Sequence, residues 1–410
     1  MARFEGALAR ASAHAGVIAT AHAEAIAAAC ALASFDVAGL ARDARNAGTL
    51  AIPFVNALRK QIPGEAARFL HFGATSQDVT DTALALCLKT ASARVSQLGI
   101  ELGDALAALA RRHADTPMLG RTLLQPAAPI PFGWKVAMWL APLARALPHY
   151  GRAAVEAAVV QFGGATGTLS AFGDNGHRVA DDLARELGLG PAVTWHSARD
   201  AFARLGSETA ILAGIAAKIA GDIALAMQTE VGELAEPSAP GRGGSSAMPH
   251  KRNPAACLLA LEAARRTPGL VATLLNQLPN EHERGIGQWQ SQFITLRELV
   301  CATGSALAAM VEVVRGLQVN ESAMRENLER TKGLVFSEAL SLRVSRAVAD
   351  GLVEQALRDG KALRQVVEAS GALPVEQVET LFDVKTSYGA ARSMLERVLK
   401  DWASARGSAS

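Results

Sequence analysis

The chain has 410 residues, 50% hydrophobic and 20% charged, enough for two or three soluble globular domains and incompatible with a mini-protein, a disordered tail or a coiled-coil rod. Alanine supplies about a fifth of the chain, against 16 Pro and 2 Tyr, and Ala loses no side-chain entropy in a helix, so an almost entirely all-α protein is expected. The 41 basic and 39 acidic residues leave a formal charge of +2, without the basic field that phosphate neutralisation demands, so nucleic acid is not an expected partner.

In chain order, Phe4, Leu8, Ala11 and Ala15 fall on one helical face from the start, with no capping residue before them, which suggests a preceding segment. Glu5 and His14 interrupt this stretch, so it does not read as a secretory signal. Pro and Gly cluster at 62–64, 117–133, 237–254 and 279–287, and the windows between them read as helices. No proline occurs from Asp78 to Thr116 or from Ala192 to Glu236, giving room for rods of roughly 50–60 Å that find partners in a bundle. The most apolar candidate, Ile211 to Met227, carries Lys218 and Asp222 and is read as too short for a bilayer, so no membrane partner is expected. Beyond about residue 330, shorter amphipathic segments separated by Gly351, Gly360, Gly371 and Pro374 predict a small C-terminal helical domain, and the Ser/Ala/Gly tail after Asp401 is expected to fray. Cysteines at 30, 87, 257 and 301 have no disulfide or zinc spacing and read as small core residues of a reducing cytosol.

Four segments carry chemistry. Pro240-Gly-Arg-Gly-Gly-Ser-Ser-Ala-Met-Pro-His-Lys-Arg-Asn-Pro254 follows a long helical window. It fits a surface connector, and it lacks P-loop spacing. It also gathers a hydroxyl (Ser245), an ammonium (Lys251) and an amide (Asn253), a set suited to a carboxylate-bearing substrate whose neighbouring carbon exchanges a proton. In His71-Phe-Gly-Ala-Thr-Ser-Gln-Asp-Val-Thr-Asp-Thr-Ala83, Thr75 and Ser76 are natural N-caps, with Asp78 and Asp81 in the first turns. Capping alone explains that pattern, and an anion at the helix end is the functional alternative. Gly120-Arg-Thr-Leu-Leu-Gln-Pro126 is a small polar patch before a proline-punctuated loop, and residues 280–289 place His282 and Arg284 amid charge and glycine without a metal-ligand set.

Together these segments resemble the fumarase/aspartase superfamily, whose signature Gly-Ser-Ser-x-Met-Pro-x-Lys-x-Asn-Pro is complete at 244–254, with residues 71–83 and 120–125 similar to its first two blocks. The resemblance implies a three-domain all-α fold with a long central bundle: 1–80 as an N-terminal domain lacking its usual first helix, 81–330 as the bundle, and 331–410 as the C-terminal domain. It implies addition or elimination beside a carboxylate through an aci-carboxylate, without metal or organic cofactor. Ser245 is implied as carbon acid/base and Lys251 as its catalytic partner on the substrate carboxylate. Asn253, His71, Thr75, Ser76, Thr122, Gln125 and Arg284 are implied as substrate-binding residues, with His250 and His282 in second rank. It also implies a cytoplasmic homotetramer whose sites combine blocks from several subunits.

Hydrating and deaminating members carry a Thr-His pair in the second block and a Glu four residues past the signature; here those positions are Leu123 and Leu258. A leaving group that needs no proton accounts for losing both, and a carboxylate, with a conjugate acid of pKa about 4, is such a group. The implied reaction is closure of a lactone by a carboxylate of a small tricarboxylate onto its own double bond, with nucleophile and acceptor already in one molecule. Arg45-Asn-Ala-Gly-Thr-Leu-Ala-Ile-Pro53, Gln161-Phe-Gly-Gly-Ala-Thr-Gly-Thr-Leu169, Trp195-His196 and Glu281-His-Glu-Arg284 also resemble this lactonising branch, although its members tend to have Trp where Leu123 stands. The alternatives are another dicarboxylate lyase, adenylosuccinate lyase-like or otherwise, and a non-catalytic helical scaffold.

Overall fold

The computed structural model describes residues 1–238, 241, 243–248 and 250–408; Pro240, Arg242 and Pro249 of the signature segment lie outside the described residues. Among the described residues are sixteen α-helices and four short strands, as the alanine content predicts. One departure matters for function: the proline-punctuated segment forms an antiparallel hairpin, Pro117–Thr122 against Gln125–Pro131. In a two-stranded ribbon each strand is an edge, so prolines that lack an N–H are tolerated. The window from Asp78 yields a helix of 37 residues, Ser76–Arg112, about 55 Å long. The window from Ala192 yields only 27 residues, Asp200–Ala226, because Trp195 and His196 spend their backbone groups on the side chains of Gln161 and Gln77 instead of a helix.

The chain divides into two compact units: Met1–Val95, His149–Ala210 and Thr267–Cys301 form unit 1, and Ser96–Pro148, Ile211–Arg266 and Ala302–Ser410 form unit 2. In unit 1 the helix Ala2–His14 buries Phe4, Leu8 and Ala11, with Ala15 just past its end, the face read from the sequence, in a cluster with Val79, Phe162, Val179 and Leu183. A second cluster gathers Ile26, Phe54 and Leu58. In unit 2, Leu340, Leu352, Leu363, Val366 and Leu381 form the core of the C-terminal segments. Gly360 and Gly371 end helices in the left-handed conformation, as a C-terminal stop requires, whereas Gly351 lies inside the helix Arg346–Asp359 and separates nothing. The described part of the tail does not fray after Asp401: the helix Ala391–Ser408 runs on past it, with Trp402 buried and its indole donating to Asp104 Oδ1 at 3.1 Å. Gly103 makes room for that ring, since a Cβ there would lie 2.2 Å from the indole.

Two expectations need correction. The helices Asp200–Ala226 and Gln288–Arg315 are long and apolar enough, by length and composition, to cross a membrane; the first starts well before Ile211, which lengthens the apolar run. Within the protein 44% and 61% of their most apolar windows are buried, so much of that surface serves packing. All four cysteines are free, but only Cys257 is buried, while Cys87 and Cys301 are exposed on long helices. Burial raises the thiols of Cys257 and Cys30, the latter to about 12, which leaves both poor nucleophiles at neutral pH.

Candidate active site

Unit 1 contains His71, Thr75, Ser76, His282 and Arg284. The helix Ser76–Arg112 starts where the caps predict, and Asp78 reaches back to accept from the Thr75 amide at 2.9 Å, half of a capping box. Asp78 does more than cap. It is fully buried, and its carboxylate also accepts from the amides of Gly163 and Gly164, each at 3.0 Å, from Gln161 Nε2 at 3.2 Å and from His196 Nε2 at 2.7 Å. A buried carboxylate is tolerated only when donors replace its lost water, and here five do so. The segments around 71–83, 161–169 and 195–196 thereby become one rigid platform.

A second buried network lies one turn further along the same helix. Arg199 makes a two-toothed pair with Asp81 at 2.6 and 2.9 Å and donates from Nε to Gln292 Oε1 at 2.9 Å. Gln77 Nε2 bridges the His196 carbonyl and Asp81. Gln292 belongs to the helix that follows the His282 and Arg284 segment, so this ion pair fixes that segment against the first block. Accordingly the Arg284 guanidinium donates to Thr75 Oγ1. A cavity of about 320 Å³ is lined by Ile52, Val55, Asn56, His71, Thr75 and Ser76, among others, within the range for a small-molecule site. His282 is exposed, with a left-handed φ of 52°.

Unit 2 contains Thr122, Gln125, Ser245, His250, Lys251 and Asn253. Thr122 and Gln125 face each other across the hairpin, whose tip is Leu123 and Leu124 at φ 50° and 65°. A two-residue turn with both φ positive matches strand twist, but leucine in that region is strained. Both side chains are exposed, by 96% and 73%. The hairpin is anchored beside its turn: Arg121 donates twice to Glu233, both at 2.8 Å, and Asn327 Nδ2 donates to the same carboxylate at 2.8 Å. A larger cavity of about 630 Å³ in unit 2 is walled by Arg121, Leu124, Asn327 and Arg330 among others, and includes none of the sequence-predicted site residues.

The signature loop hangs from a closed neck. Glu236, three residues beyond the hairpin's anchor, accepts from the amides of Ala256 and Cys257 at 3.1 and 2.7 Å, capping the helix Ala255–Asn276 as a carboxylate at a positive helix end should. The Asn253 amide donates to the Gly243 carbonyl at 2.8 Å. Gly243 has φ 65°, and a Cβ there would lie 2.5 Å from the Asn253 oxygen, so only glycine fits. Ser245 Oγ accepts from the Met248 amide at 3.1 Å and the Ala247 amide at 3.4 Å. Two amides aimed at a hydroxyl oxygen favour negative charge on it, which is what a serine acting as acid and base requires. His250 and Lys251 are exposed. Leu258 is exposed on the first turn of the following helix.

Among the predicted residues, His71, Thr75, Ser76 and Arg284 come together in unit 1, and Ser245 and Asn253 share the loop in unit 2. Asp78, Asp81, His196, Arg199, Gln292, Glu233 and Glu236, which hold them, escaped the sequence reading as functional positions. Only the acid-rich first turn and the Trp195-His196 pair hinted at any of them.

A family model described as Lyase matches residues 1–269. The chain belongs to this lyase family, within the fumarase/aspartase superfamily that its signature resembles. It is 44% identical to a 3-carboxy-cis,cis-muconate cycloisomerase of Bradyrhizobium diazoefficiens, over 97% of this chain and 92% of the relative. It is 42% identical to the Pseudomonas aeruginosa enzyme of the same name, over 98% and 91%. Its structure superposes on the crystal structure of a 3-carboxy-cis,cis-muconate lactonizing enzyme from Pseudomonas putida with a TM-score of 0.92, at 39% identity, covering 98% of this chain and 94% of the other.

Proposed function

We propose that the chain closes 3-carboxy-cis,cis-muconate to 4-carboxymuconolactone, a step of protocatechuate degradation by the β-ketoadipate route. A substrate carboxylate oxygen bonds to one carbon of a double bond. The π electrons move to the other carbon, beside a second carboxylate, and the aci-carboxylate so formed takes a proton there from Ser245. Water returns a proton to the serine, so one proton is consumed and the chemistry uses no metal or organic cofactor. Lys251, Asn253 and Arg284 hold the carboxylates, and the developing charge strengthens those contacts in the transition state. Thr75, Ser76, Thr122 and Gln125 line the site.

The observation that carries this reading is the Ser245 oxygen receiving two main-chain amides inside an intact signature loop. Leu123 and Leu258, apolar where a proton-handling pair stands in hydrating and deaminating members, agree with a nucleophile that needs no proton removed. The working form is a cytoplasmic homotetramer with sites shared between subunits and three domains divided at 80 and 330. Leu258, Leu259, Phe293 and Ile294, all exposed on long helices, are the kind of surface that self-association covers. Turnover in deuterium oxide tests the chemistry: the lactone should carry one deuterium at the carbon beside a carboxylate. Light scattering should give four chain masses, and an active monomer would contradict shared sites.

A further inference from the structure

Glu5 lies on the helix Ala2–His14, which the reaction outlined above does not use. Its side chain is fully buried, and Oε1 lies 2.7 Å from His71 Nδ1. The other oxygen, Oε2, is buried without a partner. A carboxylate so placed costs stability unless its one contact matters. His71 is itself unusual: it is not glycine, yet its φ is 63°, a strained conformation of the kind that collects at functional sites. Its ring lines the 320 Å³ cavity with Thr75 and Ser76. Backbone strain and a buried carboxylate thus both act on one imidazole at the cavity wall.

We propose that Glu5 is a positioning residue: it holds the His71 ring with Nδ1–H bonded to its carboxylate and leaves Nε2 to bind a carboxylate of the substrate. In this assignment the carboxylate accepts and the proton of the bond sits on Nδ1. An anionic ligand at Nε2 is bound together with a proton taken up from solvent, so that the ring lies between two carboxylates and donates to both. The N-terminal helix is thereby part of the binding apparatus. The substrate part rests on the lactonisation reading; the ring's orientation does not.

The test compares Glu5→Gln, His71→Asn, which suits a left-handed φ, and the double variant. Losing a charge-assisted hydrogen bond to substrate should raise KM about tenfold or more in each single variant, with kcat changed less than about threefold. The double variant should be no worse than His71→Asn alone. A Glu5→Gln KM within about twofold of wild type, or multiplying effects in the double variant, overturns the proposal. Imidazole 15N spectra, with the His71 signal assigned by its loss in His71→Asn, give a readout independent of turnover. Nδ1 should be the protonated nitrogen in the wild-type protein and the signal should move in Glu5→Gln; an unchanged signal overturns the assignment. If Glu5→Gln does not fold, Glu5→Asp, which withdraws the carboxylate from the ring, serves the same comparison. If the wild-type protein leaves the tricarboxylate unconverted, the lactonisation reading fails by itself, and the spectra still decide the role of Glu5.

Discussion

The first block and the signature loop, the two segments to which the chemistry is proposed to belong, are held in opposite ways. Around Thr75 and Ser76 the carboxylates of Asp78 and Asp81 are buried and bonded on several sides, to His196, Arg199, Gln161 and two glycine amides. Around Ser245 the firm contacts are at the neck, through Glu236 and the Gly243 carbonyl, while His250, Lys251 and Arg252 are exposed. A binding surface gains from being fixed before substrate arrives, because no ordering cost remains to be met on binding. A segment whose described residues make few buried contacts opens locally at lower cost than one locked by buried ion pairs.

This contrast can be broken by substitution. The largest stability effect should come from Arg199→Ala, which strands the buried Asp81 carboxylate and should destabilise unit 1 by about 3–5 kcal/mol, measured as a fall in denaturant midpoint. Gly243→Ala should act mainly on activity: strain at a left-handed φ and the close Asn253 oxygen should lower kcat/KM about tenfold, with a smaller loss of stability than Arg199→Ala gives. If Gly243→Ala unfolds the protein more readily than Arg199→Ala, the contrast is wrong. The smallest effect is expected at the hairpin tip. Leu123→Asn relieves a strained φ and should raise stability by about 0.5–1 kcal/mol, since the leucine side chain buries almost nothing in the chain.

How much of this the sequence disclosed follows from the range of each interaction. The signature loop and the caps at Thr75 and Ser76 are local patterns, legible because their chemistry is written in neighbouring residues. Helix boundaries followed Pro and Gly only in part: Gly360 and Gly371 end helices, Pro142, Pro148, Pro268 and Gly351 lie inside them, and at Trp195 and His196 side chains captured the backbone. The hairpin stayed hidden because its turn has Leu-Leu in place of Asn-Gly and its second strand is rich in proline. Asp78 looked like an ordinary first-turn acid, because its partners His196, Gly163 and Gly164 lie far along the chain. Glu5 looked only like an interruption of an apolar stretch, since nothing near it in sequence announces His71.

The lactonisation itself is tested most directly by following the ultraviolet absorbance of the conjugated diene when 3-carboxy-cis,cis-muconate is mixed with the wild-type protein and with Ser245→Ala. The wild-type protein should remove the diene with a chelator present, and Ser245→Ala, equally folded, should do so at least about a hundredfold more slowly. A folded wild-type assembly that leaves the diene intact, or a Ser245→Ala variant of undiminished rate, would contradict the account.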